Sequence, residues 1–229
     1  MAMRDSYEEF FGKLHINKDQ FFEFGLNETI YADREKAQVF WNELKLRIRK
    51  NDPVYMRRFG RNRESNRLYE HFYNYGLGIN NIKIDPSNNN KPTSVIREMT
   101  GYSKTKNSKY SLITNYQVSH IFGRTKNIYL FTAPWNIAYL PKIVDPFSGH
   151  EAKGEMAKEF QKLLKRNTYN RFKNLIEDYN QIISASNFQE KINKYTENIS
   201  KENTFTESEI NRLTRSISRE FSTIEFSTL

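Results

Sequence analysis

Two histidines with an asparagine between them, His120, Asn136 and His150, fall within the stretch YQVSHIFGRTKNIYLFTAPWNIAYLPKIVDPFSGHEAKGE, residues 116 to 155. Hydrolysis of a phosphodiester requires a base that activates water, a cation that stabilises the crowded anionic state, and help for the leaving oxygen. An imidazole near its unperturbed pKa is a suitable base at neutral pH. His, Asn and His in that order, on a strand–loop–strand–helix pattern, is what a small metal-dependent nuclease site needs. The chain's two other histidines, His15 and His71, read as structural or surface residues.

Positioning these groups is the work of a hairpin and a helix. Tyr116 to Phe122 predicts a strand that ends in His120, followed by a loop from Gly123 to Pro134. Asn136 to Val144 predicts a second strand, which Pro141 places at a sheet edge or shortens. Asp145 to Gly149 predicts a turn, and a helix beginning near Ser148 then carries His150 in its first turn.

These residues resemble the HNH nucleases, whose fold is a ββα-metal unit. The resemblance rests on SH at 119–120, WNI at 135–137 and HEAKG at 150–154, and spans roughly 45 residues. It implies His120 as the general base, Asn136 as the residue that holds the loop and orients His120 through its backbone, and His150 as the ligand of a divalent cation. Lys153 would lie one turn further along the helix, near the phosphate, and Arg124 and Lys126 would contact the scissile strand. The implied cation is Mg²⁺, with Mn²⁺ as the alternative. Many members of the family carry an acidic metal ligand immediately before the first histidine; here that position is Ser119. Asp145 or Glu151 offers a second ligand, although neither position follows from the motif. Many members are also stapled by Cys-x-x-Cys zinc knuckles. This chain has no cysteine, so packing of the flanking helices must replace the staple and no structural zinc is expected.

The rest of the chain is strongly basic, with a formal net charge of +9, which points to an acidic partner, nucleic acid first and an anionic membrane surface second. Between Arg47 and Arg67 eight cations, Arg57, Arg58, Arg61 and Arg63 among them, face two carboxylates. Arginine suits both phosphate and guanine edges. From Met99 to Val144 there are six cations, including Lys104 and Lys106, and no carboxylate. No apolar run approaches 18 residues, and the acidic start MAMRDSYEEFF lacks an apolar signal core. No phosphate-loop or dinucleotide pattern is present. Without cysteine, disulfides and a thiol nucleophile are excluded, which fits a cytoplasmic protein.

Elsewhere the pattern is helical. Asp33 caps an amphipathic helix to Lys50 that is stopped by Asn51-Asp52-Pro53, and Thr206-Glu-Ser-Glu209 has the form of a capping box. The Asn-rich run from Asp85 to Pro92 is the clearest soft boundary. The expected fold is therefore α+β, a mostly helical chain around a small ββα-metal unit. Residues 1–92 form a helical, basic DNA-contacting region, 93–165 the nuclease core, and 166–229 a set of bracing or dimerisation helices. The expected activity is metal-dependent DNA endonuclease, most economically a homodimeric type II restriction enzyme acting on double-stranded DNA. The alternatives are a homing, phage or defence nuclease, a non-catalytic nucleic-acid-binding protein and, more weakly, a membrane-surface protein.

Overall fold

The computed structural model describes residues 4–60, 63–149, 151–201 and 204–228. Two short helices open the chain, α1 (Ser6–Lys13) and α2 (Lys18–Asn27), followed by a two-residue strand β1 (Ile30–Tyr31). Helix α3 (Arg34–Arg49) forms because Asp33 accepts the Lys36 amide at 3.0 Å and because Ala37, Trp41, Leu44 and Ile48 lie on one buried stripe. Asn51, at φ 57°, turns the chain out of it. Strand β2 (Val54–Met56), helix α4 (Arg63–His71), a π-helical turn at Phe72–Leu77 and strand β3 (Ile82–Ile84) follow, with β2 and β3 parallel.

The Asn-rich run is a capped turn rather than a slack loop. Buried Asp85 accepts the amides of Ser87, Asn90 and Lys91, which seals the start of α5 (Asn90–Thr100). Strands β4 (Tyr102–Ser103) and β5 (Ser111–Leu112) form a second parallel pair.

Strands β6 (Tyr116–His120) and β7 (Ile137–Pro141) pair antiparallel, with His120 opposite Ile137 and Ser119 opposite Ala138. β1 adds antiparallel to the far side of β7, giving the order β1-β7-β6. β7 is thus central and ends at Pro141, opposite Tyr116; the proline is tolerated there because the next cross-strand bond is donated by Lys142, to the Asn115 carbonyl at 2.8 Å. Successive side chains alternate between the faces of this sheet. Val118, Ile137 and Tyr139 enter the main core with Trp41, Trp135 and Tyr179. Ala138 and Leu140 enter a second core with Phe22, Phe147 and Phe160. The main core draws on residues from Ala32 to Ile224, and so on all three regions marked out in the sequence.

The helical remainder comprises α6 (Glu155–Arg171), α7 (Lys173–Ser184), α8 (Ser186–Ile199) and α9 (Glu207–Glu220). α9 begins at a complete capping box, Thr206 bonded to the Glu209 amide and Glu209 to the Thr206 amide. The architecture is α+β and mostly helical. Among the described residues no helix is long and apolar enough to cross a membrane.

Candidate active site at the β6–β7 hairpin

His120 is the last residue of β6, and its ring lies parallel to that of Phe131, centroids 5.5 Å apart. Its Nε2 is 2.9 Å from the Phe131 carbonyl oxygen. A carbonyl only accepts, so Nε2 carries the proton and Nδ1 is the basic nitrogen of the neutral ring. The residue is 5% exposed.

Asn136 closes a 3₁₀ turn at Pro134–Asn136 and is fully buried. Its side-chain oxygen accepts the Phe122 amide at 2.8 Å, and its amide donates to the carbonyls of Gly123 and Leu130 at 3.1 and 3.0 Å. Its own carbonyl accepts the Ile121 amide at 2.8 Å. One side chain thereby ties both ends of the 121–136 loop to the start of β7, directly behind His120. The Phe122 amide and Gly123 carbonyl are half-buried groups satisfied in this way, and the Leu130 carbonyl accepts from the Ala133 amide as well.

Ser119 lies on the opposite face of β6, the face covered by α6 through Met156, Ala157, Phe160 and Leu164. Its hydroxyl donates to Asp145, which opens the 3₁₀ turn Asp145–Ser148. A half-buried carboxylate therefore stands beside the residue that precedes His120. The Lys104 ammonium lies within electrostatic reach of both this carboxylate and the Lys142 ammonium. Partial burial lowers the pKa of Lys104, Lys142 lowers it further and Asp145 opposes both. Asp145 supplies a hard oxygen ligand suited to Mg²⁺ or Mn²⁺. Among the described residues no three His, Asp or Glu side chains gather into a set. A cation at Asp145 would complete its shell largely with water and phosphate oxygens.

His150 lies outside the described residues, as does Arg61. The helix expected near Ser148 begins instead at Glu155. The reason is backbone geometry: Gly149 and Gly154 hold φ of 105° and 94°, left-handed values that interrupt a right-handed helix. Lys153 is consequently an exposed loop residue, one turn along no helix. It lines a surface cleft of about 400 Å³ with Asp5, Tyr7 and Glu151.

The basic residues divide. Arg58, Lys104 and Lys106 are exposed and Arg57 is half-buried; Arg63 is the first residue of α4. Arg124 and Lys126 turn inward, against the expectation that they face a substrate strand. Arg124 donates to the carbonyls of Ser222 and Thr223, and Lys126 pairs with buried Glu220 at 3.5 Å. The resemblance orders residues along the chain but carries no direction for side chains outside its three matching blocks, and these two lie outside them. The Phe131 carbonyl that fixes the His120 ring had no signal in the sequence, because any residue type supplies one.

The family model described as "Uncharacterised protein PM1201" matches residues 32–226, a span that includes the hairpin, the Asp145 turn and all of α9. The chain is 40% identical over 228 residues to "Uncharacterized protein PM1201" of Pasteurella multocida (strain Pm70), covering 98% of this chain and 99% of that relative. The chain belongs to the PM1201 family. No solved structure matches it.

Proposed function

We propose that the protein is a metal-dependent DNA endonuclease, a cytoplasmic homodimer of type II restriction character, with the hairpin as a ββα-metal nuclease unit. The observation that carries this reading is that His120 and Asn136 both bond the loop that joins β6 to β7. The histidine closes one strand with its Nε2 proton fixed on a loop carbonyl, and the asparagine opening the other strand holds that loop by three side-chain bonds.

In this reading Nδ1 of His120 takes a proton from water as the oxygen forms a bond to phosphorus and the scissile P–O bond breaks. Asp145 and His150 would hold a divalent cation, Mg²⁺ or Mn²⁺. The ion would supply charge stabilisation for the phosphoryl oxygens and the leaving group. Lys153 supplies a further positive charge on the loop before α6. Arg57, Arg58, Arg61, Arg63, Lys104 and Lys106 supply sequence-independent attraction to phosphate.

A second reading is favoured by one number, the 5% exposure of His120. A ring so enclosed also suits a fixed structural histidine in a non-catalytic nucleic-acid-binding protein. The test is incubation of the purified protein with long duplex DNA and Mg²⁺ or Mn²⁺, with and without chelator, beside a His120→Ala variant. Discrete fragments that vanish with chelator and with the variant support the nuclease. Retained DNA affinity with no metal-dependent cleavage in the wild type supports the binder.

A further inference from the structure

The last helix, α9, has an outward face for which neither core nor hairpin accounts. Its inward stripe is Leu213, Ser216, Ile217 and Glu220, all buried. Arg212, Arg215 and Arg219, spaced i, i+3 and i+7, are exposed along the other side. These three converge with Phe59 on a cleft of about 340 Å³ whose lining, among the described residues, contains no carboxylate. We infer that this face of α9 docks the phosphodiester backbone of duplex DNA, with the three arginines as its phosphate contacts; this rests on the reading that the protein acts on nucleic acid.

Three observations carry it. The first is charge complementarity. Glu220, the acid nearest the face in sequence, is 2% exposed and is shared by the Lys126 ammonium at 3.5 Å and the Arg219 guanidinium at 3.4 Å, so one buried carboxylate, already met by Lys126, stands against the three exposed arginines. The second is preorganisation. The Arg212 guanidinium stacks 4.4 Å over the Phe59 ring. That ring is held by the edge of Tyr69, centroids 4.8 Å apart, and the Tyr69 hydroxyl bonds Ser216 of α9 at 2.8 Å. A guanidinium seated on a fixed ring is already placed at the cleft before a phosphate arrives. The third is continuity with the arginine-rich segment and the hairpin. The Arg57 amide donates to the Thr125 carbonyl at 2.8 Å, which joins the Arg57–Phe59 segment to the loop that follows His120.

The test is binding of a fluorescent duplex oligonucleotide by the full chain, with chelator present so that nothing is cut, titrated across salt. Arg212→Gln with Arg215→Gln is expected to weaken binding and to lower the slope of log affinity against log salt by about one for each arginine removed. Arg215→Lys is expected to restore most of that slope, because a point charge suffices for phosphate. Lys158→Gln, a cation exposed on α6, is expected to change nothing. Thermal unfolding of each variant checks folding. Should Arg212→Gln fail to fold, Arg215→Gln alone, which alters no aromatic stack, carries the test. Wild-type affinity and slope in the arginine variants overturn the inference. So does arginine-dependent binding to single-stranded RNA or anionic vesicles without binding to duplex DNA. Arginine-dependent DNA binding without any Mg²⁺-dependent cleavage supports this surface and removes the nuclease reading.

Discussion

Ser119 donates its hydroxyl hydrogen bond to the carboxylate of Asp145, twenty-six residues further along the chain. The contact sets a carboxylate beside the residue that precedes His120, on the α6 face of the sheet. If Asp145 holds the cation, Asp145→Asn is expected to abolish Mg²⁺-dependent cleavage while leaving the fold intact. Ser119→Ala removes the group that orients that carboxylate, and is expected to raise the Mg²⁺ requirement about 10- to 100-fold. Cleavage rate against Mg²⁺ concentration reads both. An Asp145→Asn enzyme with the wild-type Mg²⁺ dependence would remove Asp145 from the site.

Asn136 offers a prediction in stability. Asn136→Ala removes three side-chain hydrogen bonds, from the Phe122 amide and to the Gly123 and Leu130 carbonyls. At about 1 kcal/mol or more for each lost bond, the loss is about 3 kcal/mol or above. Urea unfolding followed by tryptophan fluorescence is a direct measure, since buried Trp135 is the neighbouring residue. A loss under about 1 kcal/mol would mean that the loop is held by other contacts.

What could be read in advance, and what could not, follows from how local each signal is. The caps of α3 and α9 were legible because an N-cap and its partner lie within three residues. The β6–β7 pairing was legible because both strands are runs bounded by turn residues. β1 was not, since two residues carry no period and exist as a strand only by pairing with β7. The late start of α6 depends on the φ of Gly149 and Gly154, where the sequence shows only two glycines. At the hairpin, residue types named the candidates. The Ser119–Asp145 bond and the inward turn of Arg124 and Lys126 are tertiary, and a single chain read alone contains no measure of distance.

Lys104 gives a pH dependence. Partial desolvation of its ammonium first, and then Lys142, lower its pKa from the ordinary 10.5 although the residue as a whole is exposed, with Asp145 acting the other way. The sign is fixed by which state binds the proton more tightly. Between the lowered folded value and 10.5 the unfolded chain holds more protons, so this residue's contribution to stability rises with pH through that window. Its contribution to phosphate binding runs oppositely, being present while the ammonium is charged and lost as pH rises through the lowered value. DNA affinity of the wild type is therefore expected to fall earlier on the alkaline side than that of Lys104→Arg, whose charge persists. Parallel affinity profiles from pH 7 to 10 would show that Lys104 makes no phosphate contact. Asp145→Asn should move the fall to still lower pH, because it removes the one charge that raises the Lys104 pKa.

The end of α9 is fastened to the hairpin loop by Glu220, and this supplies the final prediction. Its carboxylate, 2% exposed, accepts the Lys126 amide at 2.9 Å and pairs with the Lys126 ammonium at 3.5 Å, while its carbonyl accepts from Asn127 at 2.8 Å. Just beyond, Arg124 donates to the carbonyls of Ser222 and Thr223. Removing a buried carboxylate strands a main-chain N–H and a partly buried ammonium, a loss of about 2–4 kcal/mol for Glu220→Ala. Glu220→Gln keeps an oxygen for the Lys126 amide and should lose less, which separates the hydrogen bond from the charge. Because the fastening reaches the loop held by Asn136, Glu220→Ala should also speed hydrogen exchange at Phe122 and Ile128, whose amides are bonded within that loop and to Tyr73. Unchanged exchange at both amides, with α9 alone loosened, would show that the last helix and the hairpin are mechanically separate.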